Sequence, residues 1–174
     1  MTTLPPPDRV DPMLPQGLVV RSAKDDDVET IVALRLQLLA EESRSPLFAN
    51  PRRDAEEQAR TLTRAQLASR TDVILIAEHE GTAVGLLRCA VSHAARLVRP
   101  SRYGFVTSVF VVPSFRRLGI LRALVREAEA WCRLRGLREL RLHCTVENSE
   151  GNAAWESLGY EAAEVVRRRT LAEE

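Results

Sequence analysis

Apolar residues fall along the chain in a mixed rhythm, some at the spacing of helices and some alternating as in strands. Leu18-Val19-Val20-Arg21 reads as a short strand. Asp25, Asp26 and Asp27 follow, suited to capping and charging a helix start, and Val28, Ile31, Leu34, Leu38 and Leu39 then recur at helical spacing. Pro46 and Pro51 interrupt that pattern, and a second helix is expected from about Ala55 to Ser69. Val73–Ala77 and Ala83–Val91 read as two strands around the turn Glu78-His79-Glu80-Gly81-Thr82, which makes a hairpin. Tyr103–Val112 is a further strand, long and apolar.

A helix follows, with Ile120, Leu121, Leu124, Val125, Ala128, Trp131 and Cys132 on one side and Gly136 as its stop. Leu140, Leu142, Cys144 and Val146 alternate with Arg141, His143, Thr145 and Glu147, a period of two. A helix over about Gly151–Leu158 and a last strand over Ala162–Leu171 complete the order β-α-α-β-β-β-α-β-α-β. The first 16 residues are Pro-rich and aperiodic, a flexible arm ahead of one domain from residue 17 to 174.

Composition narrows the function classes. The chain has 174 residues, enough for a real core, and its 45% hydrophobic and 28% charged residues are those of an ordinary soluble domain. A net charge of +1 argues against a nucleic-acid or membrane partner, each of which favours a basic excess. Arg167-Arg168-Arg169 is the one dense basic cluster, and Glu173 and Glu174 follow it closely. Cys89, Cys132 and Cys144 are odd in number, widely spaced and set in apolar surroundings. They read as buried reduced thiols of a cytoplasmic protein. His79, His93 and His143 share no metal-ligand spacing with them, so no metal is expected. No apolar run reaches the length of a membrane span, and Pro5-Pro6-Pro7 with Asp8 and Asp11 stands where a leader would need a basic start.

The candidate chemistry sits at one junction. The apolar strand ends in Val109-Phe110-Val111-Val112-Pro113, and the basic loop Arg116-Arg117-Leu118-Gly119 runs straight into the helix at Ile120-Leu121-Arg122. The first amides of a helix lack intrahelical partners and lie at the positive end of its dipole, so this junction can hold a phosphate. Neither Gly-x-x-x-x-Gly-Lys-Ser/Thr nor Gly-x-Gly-x-x-Gly is present. A plain surface strand-turn-helix carrying incidental arginines is the competing reading.

Arg116-x-x-Gly119-x-Leu121 after a strand ending in Val-x-Pro resembles the Arg-x-x-Gly-x-Gly/Ala signature of the GNAT superfamily of acyl-CoA-dependent N-acetyltransferases, with Leu121 in place of the small residue. Asn148 through Tyr160 resembles that family's Asn-x-x-Ala-x-x-x-Tyr-x-x-x-Gly-Phe, with Gly151 for Ala and Trp155 for Tyr. The resemblance implies an α/β (α+β) GNAT-type domain with a mixed, mostly antiparallel sheet of about 6–7 strands flanked by about 4 helices. It implies acetyl-CoA as cosubstrate. The backbone of Val109, Phe110 and Val111 would hold the pantetheine, with one amide there polarising the thioester. The loop Arg116, Arg117, Leu118, Gly119, Ile120, Leu121 and Arg122 would hold the pyrophosphate, and Asn148, Asn152 and Trp155 would also border the cosubstrate. The family's Tyr is thought to protonate the departing thiolate, and an indole cannot replace it as an acid.

An amine must lose its proton before it attacks. Many relatives place a carboxylate five residues before the Asn, and His143 stands there, an imidazole suited to act as base near neutral pH. A strand histidine without such a role is the alternative. Glu78 and Glu80 are of the right type but lie in the hairpin turn. Glu41, Glu42, Ser43, Arg44 and Phe48 fall in the segment that usually borders the acceptor in this family.

The implied reaction is transfer of an acetyl group from acetyl-CoA to a primary amine of a small molecule or peptide. A non-catalytic acyl-CoA-binding or interaction protein with a degenerate GNAT fold is the rival, favoured by Leu121 and Trp155. Homodimerisation is compatible with everything in the sequence.

Overall fold

The structure is a computed structural model and describes residues 14–171. The chain falls into two compact units, one ending at His143 and the other beginning at Cys144. In the first lie β1 (Leu18–Ser22), α1 (Val28–Glu42), α2 (Ala55–Leu67), β2 (Asp72–His79), β3 (Thr82–His93), β4 (Arg102–Val111), α3 (Ile120–Leu134) and β5 (Leu140–Leu142). The second contains α4 (Ser149–Ser157).

The strands form one sheet in the order β1-β2-β3-β4-β5. Every neighbour pair is antiparallel except β4 and β5, which are parallel and joined through α3. Side chains alternate across the sheet, so each face has its own helices. On one face Ile74, Ile76, Leu86 and Phe110 pack with Ile31 and Leu34 of α1. On the other, α3 lies close over β3. A Cβ added at Gly85 would stand 3.2 Å from both Ile120 and Leu124 and 3.3 Å from Ala77. Ile120, Leu124, Ala128 and Cys132 of α3 are fully buried there, each large apolar side chain contributing roughly 1.5–3 kcal/mol.

The hairpin turns at Glu80-Gly81, both with positive φ, and β2 runs on through Glu78 and His79. Glu78 is therefore a strand residue, and its carboxylate takes the Arg21 guanidinium at 2.6 Å. Arg21 also forks onto Asp27 at 2.7 and 2.8 Å, and Asp27 accepts the Lys24 amide. The Arg21 guanidinium holds the Asp27 carboxyl below its ordinary range. The acidic triplet thus forms a 3₁₀ turn ahead of α1, tied to β1 and β2.

Three sequence expectations end differently. The strand expected through Val146 stops at Leu142, because its parallel pairing reaches only Gly104–Val106 of β4. Ala162–Leu171 forms no strand. Val165, Val166 and Leu171 stand exposed along it, and alternation alone makes no ladder without a partner edge. The described residues therefore contain five strands, with four α-helices. Cys89 and Cys132 are free and buried with sulfurs 3.6 Å apart, and the Cys132 sulfur and burial push the Cys89 thiol up. Cys144 is only half-buried. Most of the expected arm, residues 1–13, lies outside the described residues.

Candidate active site

The strand–loop–helix junction has an unusual backbone. After Val112, a 3₁₀ turn at Pro113–Phe115 closes with Phe115 and Arg116 donating to the carbonyls of Val112 and Pro113. The Phe115 ring packs against His79 of β2, centroids 5.3 Å apart. Two left-handed residues follow, Arg117 at φ 63 and Gly119 at φ 81. A left-handed arginine costs roughly 1–2 kcal/mol, and glycine takes that conformation freely. Gly119 is the N-cap of α3. No amide from Arg117 to Leu121 donates to a backbone carbonyl outside the helix ladder among the described residues. The α3 dipole, the alternating backbone and the unengaged amides together make a concave donor set suited to phosphate oxygens.

Arg117 is exposed, and Arg122 lies on the first turn of α3. Arg116, expected among the phosphate-facing cations, is already engaged. Its Nε donates to the Val111 carbonyl at 3.0 Å and its Nη2 takes both oxygens of Glu41 at 2.7 and 2.6 Å. It also sits 5.9 Å from the centre of the Phe110 ring. Leu118 is exposed, Ile120 is core, and Leu121 is half-buried. Leu121 therefore only partly joins the packed face on which the sequence places it.

β4 supplies the second feature. Its ladder with β3 slips by one residue, because Arg88 faces Thr107 while Leu86 faces Phe110. Ser108 and Val109 thus oppose the single residue Leu87, and Ser108 takes φ 51. This is a β-bulge, which re-aims backbone groups and ends regular pairing. On the other side β4 pairs with β5 only at Gly104–Val106, so among the described residues Thr107 to Val111 have no strand partner there. An extended chain carrying amides could lie along such an edge. Val109 and Val111 are half-buried, and Phe110 sends its ring into the α1 core, leaving backbone as what this stretch offers.

His143 is exposed just past β5, and its ring meets Phe105 edge-on at 5.1 Å. Phe105 and Tyr103 continue the row at 6.4 Å, and Arg141 stacks on Tyr103 at 4.1 Å. On α1, burial pushes the Glu42 carboxyl up, and Glu41 beside it acts in the same direction. Both carboxylates stand in the last turn, the unfavourable end for negative charge. Glu41 is compensated by Arg116 and Glu42 is not hydrogen-bonded to any side chain in the described set. Phe48 is more than a third exposed at 37%.

In the second unit the Asn motif explains itself locally. The Asn148 oxygen accepts from the Gly151 amide at 2.8 Å and caps α4. A Cβ at Gly151 would stand 2.6 Å from the end of the Asn148 side chain, which would have to shift to admit it. Asn152 donates to the carbonyls of Thr145 and Asn148, both at 2.9 Å. Trp155 is buried with its ring 5.1 Å from Tyr160, edge to face. Local capping and packing account for the contacts of these three residues.

Two features escaped the sequence reading. One is the bulge. The other is a charged group under it: Asp72, Arg88 and Thr107, joined side chain to side chain. A signal for it existed, since Arg88 interrupts the apolar run Leu86-Leu87-Arg88-Cys89-Ala90.

Comparison with known proteins decides the family. The model of the acetyltransferase (GNAT) family matches residues 36–160, most of the chain. The chain belongs to the GNAT acetyltransferase family. Its reaction class is acyl transfer from acetyl-CoA to nitrogen. An aminoglycoside N(6')-acetyltransferase type 1 from Stenotrophomonas maltophilia is 30% identical over 114 residues, which is 65% of this chain and 74% of that protein. The fold matches aminoglycoside N-acetyltransferase AAC(6')-Iy in complex with CoA at a TM-score of 0.75 and 22% identity, covering 92% of this chain and 100% of the other. It also matches a predicted acetyltransferase with acetyl-CoA from Clostridium acetobutylicum at a TM-score of 0.73 and 17% identity, covering 88% and 96%. Among the described residues no helix is long and apolar enough to cross a membrane, and no group of three or more His, Cys, Asp or Glu could hold a metal ion.

Proposed function

We propose that this GNAT member acetylates a primary amine of a small molecule by direct attack of the amine on acetyl-CoA. The observation that carries this reading is the left-handed pair Arg117 and Gly119 at the mouth of α3, following a strand with a free, bulged edge. Acetyl-CoA supplies an activated acyl group on a long arm ending in phosphates. The loop amides from Arg117 to Leu121 suit the pyrophosphate, with Arg117 and Arg122 adding positive charge. The backbone of Val109–Val111 suits the pantetheine, and an amide at the bulge suits the thioester oxygen, where a fixed donor lowers the barrier to attack. Because Arg116 already engages the Val111 carbonyl, the amides of this stretch carry the proposal better than its last carbonyl.

Holding amine and thioester together supplies much of the rate. His143 is proposed to take the proton from the amine, directly or through water. It is exposed, and Phe105 steadies its ring. Glu42, half-buried at the end of α1, suits the charge of the incoming ammonium. Relatives named for aminoglycoside 6'-acetylation favour a small-molecule amine over a peptide.

The test is thiol release from acetyl-CoA across aminoglycosides, polyamines, amino-acid amides and short peptides. Gly119→Glu serves as control, since it strains the loop and puts a negative charge in the phosphate cradle. Turnover with a small amine, lost in a folded Gly119→Glu variant, supports the reading. Turnover only with peptides, or a folded variant that keeps full activity, contradicts it.

A further inference from the structure

We propose that Arg88 is a positioning residue for acyl transfer. It holds Thr107 at the root of the β4 bulge and so fixes the backbone donor aimed at the thioester. This inference rests on the acetyl-CoA reading above.

The supporting contacts run in one line through the sheet. Ser69, between α2 and β2, donates its hydroxyl to Asp72 Oδ2 at 2.6 Å. Asp72 Oδ1 takes both Nε (2.7 Å) and Nη2 of Arg88. The remaining nitrogen, Nη1, donates to Thr107 Oγ1 at 3.1 Å. The Asp72 side chain is only 9% exposed and the Arg88 side chain 19%. Thr107 is the last β4 residue in regular register before Ser108 and Val109 bulge out.

Stability alone does not account for this arrangement. Taking an ion pair out of water costs about as much as its attraction returns, and apolar residues of similar volume often serve as well. Leu86, Leu87, Cys89 and Ala90 around it show that this strand is otherwise apolar. What the pair supplies is geometry. The guanidinium is a planar fork, and with Asp72 held by Ser69 its free arm points in one direction.

Geometry is needed at this place. Ser108 sits at φ 51, a conformation serine does not favour, so its neighbours must impose it. On one side Phe110 is anchored in the α1 core at 3% exposure. On the other, the ladder residue Thr107 is anchored by Arg88. Between these anchors the Ser108 and Val109 amides have little freedom. A donor that polarises a thioester acts only if it is fixed before the reaction, so a looser Thr107 weakens polarisation without removing any group that binds CoA.

The readout is the carbonyl stretch of bound [1-13C]acetyl-CoA by infrared difference spectroscopy, with calorimetric affinity and thermal unfolding measured on the same samples. This readout needs no acceptor. In the wild-type protein the thioester band lies below its position in free acetyl-CoA. In Thr107→Val, which removes the hydrogen-bond acceptor at nearly constant volume, the band returns toward the free position while affinity is retained. Thr107→Ser keeps the hydroxyl and keeps the wild-type band. Arg88→Lys retains the charge beside Asp72 but loses the fork, and behaves as Thr107→Val does. Turnover with any accepted amine follows the band, falling by about tenfold or more in kcat with KM for acetyl-CoA unchanged. A Thr107→Val band at the wild-type position, or a wild-type band that is not displaced, overturns the inference and leaves acetyl-CoA binding standing. A wild-type protein that fails to bind acetyl-CoA overturns the functional reading and this inference together.

Discussion

Gly104 offers a quantitative test of the packing that supports the site. It lies in β4 where that strand meets β5, a few residues before the bulge, and it faces α3. A Cβ there would stand 2.5 Å from Cys132 Sγ, 3.3 Å from Cys89 Sγ and 3.4 Å from Leu140. The first distance is far inside van der Waals contact, and both cysteines are fully buried. Gly104→Ala must therefore displace α3 or turn Cys132 to another rotamer. Overpacking of this kind costs about 1–3 kcal/mol, and the gain in strand entropy on replacing glycine returns less than about 1 kcal/mol. A net loss of about 1–2 kcal/mol lowers the melting temperature by roughly 2–8 °C in a chain of this size. Cys132→Ala removes the obstructing sulfur and by itself costs on the order of 1 kcal/mol for the small cavity it leaves. In the double variant the new methyl group occupies that cavity. The two losses therefore do not add, and the cycle gives a favourable coupling of about 1 kcal/mol or more. Urea denaturation of the four proteins measures it. Additive losses, or a Gly104→Ala variant as stable as wild type, would refute the reasoning.

Three further outcomes follow from charges elsewhere. Asp27 titrates below its ordinary value because Arg21 bonds its carboxylate, so its contribution is complete above about pH 4 and is lost as pH falls through the lower folded value. Asp27→Asn should cost about 1–2 kcal/mol at pH 7, and the gap in urea midpoint from wild type should narrow toward pH 2; a gap independent of pH would contradict this. Among the described residues, buried Arg35 has only Thr63 and Gln66 as side-chain partners and its Nε has none, and burial with Arg88 nearby pushes its pKa down to about 10. Arg35→Met should therefore raise stability, on the order of 1 kcal/mol, and a loss of several would show the guanidinium to be a net stabiliser. His143→Ala should lower kcat/KM by roughly 10²–10⁴-fold, whereas near-normal rates in a folded variant would leave deprotonation to solvent.

The parts of this molecule that were legible in the sequence are those set by local pattern. The strand–loop–helix around Gly119 could be read because an apolar run, a proline, a glycine and a helical spacing follow one another within a few residues. The β2–β3 hairpin and α3 could be read for the same reason. What remained hidden depends on the ladder between strands. The bulge at Ser108 carries no glycine to announce it. It exists because Arg88 and Leu86 pair with Thr107 and Phe110, which no periodicity within β4 reveals. The early end of β5 is a consequence of the same pairing, since its alternation continues in sequence after its partner has left register. Arg116 was legible as a loop cation but not as the partner of Glu41, 75 residues away. Asn148 matched a family motif, while its cap on the Gly151 amide emerges only from the turn geometry.

The central claim is that the backbone of the Arg117–Arg122 loop and of Val109–Val111 holds acetyl-CoA. A titration of the ¹⁵N-labelled protein with CoA, followed through its backbone amide resonances, tests it most directly. The account predicts saturable shifts that are largest for Arg117 to Arg122 and next largest for Val109 to Val111, with the amides of β1 and β2 nearly unmoved. Saturable binding with the largest shifts elsewhere, or no shift in the loop at saturating CoA, would contradict it.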